Sequence, residues 1–128
     1  MGLNFKIGRN KIVKIGDIYW AKTEGEIEHP HVIILVDESS VTVCAITTNQ
    51  NKASMPGNVM LETGEGNLGK LSIVEVAKEY SIDKTELKDY IGQLSDKRVE
   101  EILKGIQFIK RSFLPADRIK PDPTSPQL

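Results

Sequence analysis

His29 and His31 stand at the head of one apolar run, and Thr47-Thr48-Asn49 closes the next. Imidazoles give and take protons near neutral pH, and small hydroxyl and amide side chains can hydrogen-bond a substrate's oxygens. Held together, these residues form the best-equipped site in the chain. The segment between them would do the holding. Val32 to Val36 is unbroken apolar sequence, Val41 to Ile46 is mostly apolar, and Asp37-Glu38-Ser39-Ser40 supplies a polar turn. Strands apolar on both faces are usually buried on both, which predicts a central antiparallel hairpin whose open end brings the histidines beside Thr47. The same side chains also fit a plainer role, as polar residues at a strand mouth.

The rest of the chain must supply the frame. Gly16-Asp17 opens Ile18-Tyr19-Trp20-Ala21, whose aromatic and β-branched residues favour a first strand with Trp20 in the core. Lys22 to Glu28 is a polar loop carrying Glu24, Glu26 and Glu28. A second polar loop, Gln50 to Gly57, leads to a strand at Asn58 to Glu62. Leu71 to Tyr80 fits helical spacing and strand patterning equally well, and Ser81 to Leu94 reads as irregular structure with one turn of helix. Ser95 as N-cap, Asp96 at the positive end of the dipole, and the stripe Val99, Ile102, Leu103, Ile106 and Ile109 predict an amphipathic helix of about four turns. Residues 1–14 read as a loosely attached arm with a short strand at Lys11 to Lys14, residues 15–113 as a single domain, and residues 114–128, with four prolines, as a disordered tail.

Bulk properties narrow the function. A chain of 128 residues suits one domain. Its net charge of −1 supplies no overall basic field, so nucleic-acid binding requires a local patch. Cys44 is the single cysteine and lies in an apolar strand, which argues for a core residue and against an internal disulfide framework. A reducing cytoplasm is the expected location. No apolar stretch approaches the roughly 20 residues of a membrane span. Two histidines and one cysteine show no zinc-site spacing, so neither metal nor cofactor is expected. Gly64-Glu65-Gly66-Asn67-Leu68-Gly69-Lys70 satisfies both G-x-G-x-x-G and G-x-x-x-x-G-K, but Leu71 stands where a P-loop needs Ser or Thr to hold magnesium. A glycine-rich strand connection explains it better.

Several segments together resemble the MazF/PemK family of toxin ribonucleases. Gly16-Asp17-Ile18-Tyr19-Trp20 resembles the family's opening strand, Pro30-His31-Val32-Ile33-Ile34 its second, and Ala45-Ile46-Thr47-Thr48-Asn49 its third. The similarity continues through Lys52, Ala53 and Pro56, returns at Ser81-Ile82-Asp83-Lys84 and Ile91-Gly92-Gln93-Leu94, and reaches the final helix. It implies a mainly β fold, an SH3-like small β-barrel with a C-terminal α-helix, assembled as a homodimer that binds single-stranded RNA. It also implies a type II toxin, neutralised by a cognate antitoxin, that cleaves RNA without metal by attack of the 2′-OH to leave a 2′,3′-cyclic phosphate. Thr47 matches a catalytic position of the family. His29 stands where the family carries Arg, exchanging a bidentate clamp for a proton carrier. Glu75 aligns approximately with an acidic catalytic residue, and His31 joins as a further catalytic candidate. Lys22, Thr48, Asn49, Gln50 and Lys52 are the candidate RNA contacts, with Trp20 or Tyr80 available to stack a base. Glu24, Glu26 and Glu28 oppose a phosphate backbone, so the alternative is a catalytically inactive barrel serving as an RNA- or protein-binding module.

Overall fold

The computed structural model describes residues 12–112. The proposed tail, and the arm apart from residues 12–14, lie outside them; residues 12–14 carry no strand. The described residues hold six strands in order: β1 (Asp17–Ala21), β2 (His29–Val36), β3 (Ser40–Thr47), β4 (Val59–Leu61), β5 (Ser72–Asp83) and β6 (Tyr90–Gln93). Among the described residues one α-helix, α1 (Asp96–Ser112), follows them. The strands form one antiparallel sheet in the order β4-β5-β3-β2-β1-β6, curled into a half-barrel. The mainly β architecture with a C-terminal helix is therefore as expected.

The apolar runs of β2 and β3 make them central because residues on both of their faces need cover. On one face, Ile18, Val32, Ile34, Cys44, Ile46, Val74 and Val76 pack with Ile102 and Ile106 of α1. On the other, Tyr19, Ile33, Val41 and Val43 join Val13 and Leu87. Cys44 is fully buried, as a core cysteine should be, and burial pushes its thiol up to about 12. Asp37 N–H donates to the Ser40 carbonyl at 2.9 Å and closes the hairpin turn. Among the described residues no helix is long and apolar enough to cross a membrane.

Helix α1 starts where its cap predicts: Ser95 Oγ accepts the Arg98 N–H at 3.2 Å. Ile102 and Ile106 are buried, while Leu103 drifts to the exposed edge of the stripe. The helix sits unusually close to the loop before β4. A Cβ on Gly105 would stand 2.1 Å from the Gly57 carbonyl oxygen, so only glycine permits this approach.

Three expectations need correction. Ser81 to Leu94 is more regular than expected, since β5 runs on to Asp83 and β6 occupies Tyr90–Gln93; only Lys84–Glu86 forms a short 3-10 turn. Pairing to Ser40–Thr42 carries the polar end of β5 into the sheet, a long-range effect that local composition does not encode. The loop after β3 contains a 3-10 helix, Gln50–Ser54, capped by the Asn49 side chain. Trp20 is not core: it is 38% exposed, because β1 reaches the rim there and pairs Trp20 with Pro30.

The ambiguous segment resolves as strand, with a marked irregularity. Ala45 pairs with Glu75, whereas its neighbour Cys44 pairs with Glu79, so residues 76–78 are extra on β5. Asn58 pins this bulge: its Oδ1 accepts the Val76 N–H at 3.0 Å while its Nδ2 donates to the Lys52 carbonyl at 3.0 Å.

Candidate active site

At the open end of the β2–β3 hairpin, His29 and Thr47 form a ridge between two depressions, and both residues line each one. The smaller, about 120 Å³, is walled by Thr23, Glu24, His31, Glu75, Lys78 and Tyr80 besides the ridge. The larger, about 490 Å³, runs past Trp20, Pro30, Thr48, Asn67, Gly69 and Lys70. The sheet thus unites all four predicted catalytic residues, His29, His31, Thr47 and Glu75, around one small pocket.

Their situations differ. His29 is exposed. His31 is 1% exposed and has both ring nitrogens engaged: Nδ1 lies 2.8 Å from the His29 carbonyl oxygen and Nε2 lies 2.8 Å from Thr23 Oγ1. A carbonyl only accepts, so Nδ1 carries the proton and the neutral ring accepts the Thr23 hydroxyl at Nε2. Burial holds the His31 pKa below the usual imidazole value, against the opposing pull of the His29 carbonyl. As arranged, neither nitrogen is left for a substrate. His31 is suited to fixing the β1–β2 loop and the backbone of His29, not to touching a phosphate. That departs from the catalytic expectation, and the reason is depth along the strand: His29 and His31 lie on one face, but His31 sits further in, toward buried Ile33, while His29 stands at the open end.

Thr47 has the opposite character. Its Oγ1 accepts the Asn49 N–H at 3.1 Å, which leaves the hydroxyl hydrogen available to donate. Glu75 is 8% exposed and reaches the pocket from the start of the bulge. Lys78, the last residue of the bulge, and Tyr80, beyond it, line the same pocket. In a regular strand Tyr80 and Glu75 would face opposite sides.

Of the five predicted RNA contacts, Thr48 alone lines a depression. Asn49 caps the 3-10 helix, with its Oδ1 3.0 Å from Asn51 N. The Gln50 amide donates to the carbonyls of Thr48 and Leu71, each at 3.1 Å, and so shapes the β3 exit. Lys22 pairs with Glu26 at 3.6 Å on the surface, and Lys52 lies outside both depressions. Lys70, Lys78, Thr23 and Glu24 were not anticipated as site residues. Lys70 belongs to the glycine motif, which could have flagged it; Lys78 is hidden by the bulge.

The glycine motif itself is a turn built on a 3-10 helix, Glu65–Asn67. Three of its amides are spent within it: Gly64 N–H donates to Leu68 O at 2.7 Å, Asn67 N–H to Gly64 O at 3.2 Å, and Leu68 N–H to Glu65 O at 2.9 Å. A phosphate cradle needs those amides aimed outward. The strand-connection reading fits, and Glu65 ties the turn to α1 through two bonds from Arg98, at 2.8 and 2.9 Å. Among the described residues no three His, Cys, Asp or Glu side chains converge as a metal site.

Comparison with known proteins adds ancestry to this geometry. Residues 14–109 match the family described as PemK-like, MazF-like toxin of type II toxin-antitoxin system. A protein named Endoribonuclease MazF from Staphylococcus saprophyticus is 33% identical over 107 residues, which span 74% of this chain and 88% of that one. Endoribonuclease MazF6 of Mycobacterium tuberculosis is 27% identical over 108 residues, spanning 75% of this chain and 95% of the relative. Among solved structures, a mycobacterial endoribonuclease in complex with its cognate antitoxin aligns with a TM-score of 0.65 at 18% identity, over 81% of this chain and 100% of its own. The Mycobacterium tuberculosis toxin MazF-mt6 aligns with a TM-score of 0.62 at 21% identity, over 72% of this chain and 93% of its own. At such identities the superpositions speak for the fold alone.

Proposed function

Because the chain belongs to the PemK-like, MazF-like toxins of type II toxin-antitoxin systems, we propose that it is an endoribonuclease acting on single-stranded RNA and held in check by a cognate antitoxin. The observation that carries this reading is the meeting of His29, Thr47 and Glu75 around one small pocket. RNA cleavage of this kind needs no imported nucleophile. The ribose 2′-OH loses a proton and attacks the adjacent phosphorus; the P–O5′ bond breaks, and the departing oxygen takes a proton. The products are a 2′,3′-cyclic phosphate and a 5′-hydroxyl.

The roles follow from chemistry and exposure. Glu75 is the base for the 2′-OH, His29 the acid for the 5′-oxygen, and the Thr47 hydroxyl a donor to a non-bridging phosphate oxygen. His31 positions His29 through its carbonyl. Trp20, partly exposed on the wall of the larger depression, offers a face for an unstacked base, with Lys70 nearby for a phosphate. No step calls for a metal, and the protein works as a homodimer, as the resemblance implies.

The test is to incubate the purified chain with a mixed-sequence single-stranded RNA in EDTA and analyse the new ends. Cyclic phosphate ends that disappear with His29→Ala support the proposal. Intact RNA favours the non-catalytic binding module, and 5′-phosphate ends would mean a different reaction.

A further inference from the structure

The acidic β1–β2 loop does not merely face the small pocket. It enters it. Glu24 accepts a hydrogen bond from the Tyr80 phenol through Oε2, and its Oε1 lies 3.5 Å from Lys78 Nζ. Both donors reach this corner because the β5 bulge re-phases the strand after Glu75. Thr47, Glu75 and His29 line the same 120 Å³. A carboxylate therefore rests on a cation and a hydroxyl beside the residues assigned to phosphate chemistry.

We propose that Lys78 and Tyr80 form the phosphate-oxygen site of this pocket, and that Glu24 is an intramolecular stand-in which the RNA phosphate displaces. The inference rests on the ribonuclease reading only for the identity of the displacing anion. The Tyr80 phenol, pushed up to about 12 by burial and by Glu24, stays protonated and donating at neutral pH. Solvent-exposed ion pairs such as Lys78–Glu24 hold weakly, so a phosphodiester can exchange for the carboxylate. Gly25, at φ +83° with open space around it, follows Glu24 and supplies a hinge for the exchange. Lys78 and Tyr80 then become direct substrate contacts, and Glu24 raises the substrate concentration needed to fill the site without entering the reaction.

The experiment is titration of the isotope-labelled full chain with inorganic phosphate at pH 7, followed by amide NMR, for the parent protein, Glu24→Ala and Glu26→Ala. Vacating the corner should tighten phosphate about tenfold, as removal of a competing closed state predicts, with shifts centred on Thr47, Lys78 and Tyr80. Adding Lys78→Ala or Tyr80→Phe to Glu24→Ala should cancel that gain. Equal affinity in the parent and Glu24→Ala, equal tightening by Glu26→Ala, or shifts centred on Gly64–Lys70 would overturn the proposal. With single-stranded RNA, Glu24→Ala should lower KM and leave kcat within about twofold; a collapse of kcat would make Glu24 a participant and sink the stand-in role. If no RNA is cleaved yet Glu24→Ala still tightens phosphate, the ribonuclease reading fails while the anion site survives.

Discussion

The two sides of the His29–Thr47 ridge differ in chemical character. The small side is walled by groups that carry charge or protons: Glu24, Glu75, Lys78 and Tyr80, with His31 beneath. The large side offers Trp20, Pro30, Leu68 and Ile91, with Lys70 and Thr48 at its edges. One side can alter a phosphate, and the other can hold the bases that flank it. On the proposed reading, catalysis and recognition share the same two ridge residues, so position along a bound strand would be set where the chemistry occurs.

Removing the ridge should be the most damaging way to test that division. His29→Ala is expected to lower kcat on single-stranded RNA by about a hundredfold or more, the usual worth of a positioned proton donor. Its fold should remain intact because His29 is exposed. A loss confined to KM would move His29 from the chemical side to the binding side. Trp20→Ala probes the opposite face. It should raise KM by roughly fivefold to 150-fold, the range of about 1–3 kcal/mol for one stacked base, with kcat little changed. If kcat falls instead, the two depressions are not functionally separate.

The small side also depends on the bulge, and that dependence can be broken away from the pocket. Asn58→Ala deprives the partly buried Val76 N–H of its acceptor and the Lys52 carbonyl of its donor. Stability should fall by about 1–3 kcal/mol in urea unfolding. Cleavage should weaken too, because Lys78 and Tyr80 lose their alignment, whereas RNA binding through Trp20 should persist. An unfolding loss without a cleavage loss would show that the bulge serves the fold alone.

That bulge marks the limit of what the sequence discloses. The central hairpin was legible because unbroken apolar runs are rare outside doubly buried strands, and α1 was legible because its cap and stripe agree. The meeting of His29 with Thr47 followed from hairpin geometry alone. Lys78 stays hidden because strand alternation fails across an insertion that a distant Asn58 side chain helps to hold. Trp20 misled for another reason: apolar character says that a side chain gains from burial, but it does not say that the strand ends at a rim. His31 was identified as a site residue, yet its role depends on whether its nitrogens are already engaged. Only three-dimensional partners reveal that.

The smallest effect concerns His31 and separates a positioning residue from a proton carrier. In the folded protein burial holds its pKa below the usual 6.5, so the unfolded chain takes up a proton first as pH falls. Proton uptake by the unfolded state lowers folding stability as pH drops. His31 thus leaves stability undiminished above about pH 6.5 and erodes it progressively as pH falls toward its folded value. Of the ionisable groups around it, His29 opposes a proton on His31 and Glu24 favours one, while Glu75, Lys78 and Tyr80 line the same pocket. The carboxylates with resolved shifts, Glu24 and Glu65, are lowered from 4.5 and so contribute in more acid solution. Between pH 7.5 and 5.5 the urea midpoint should therefore decline in the parent protein and much less in His31→Gln, which keeps a donor and an acceptor without titrating. If both decline alike, His31 is not the neutral strut beneath the ridge, and the catalytic role expected for it from sequence regains its case.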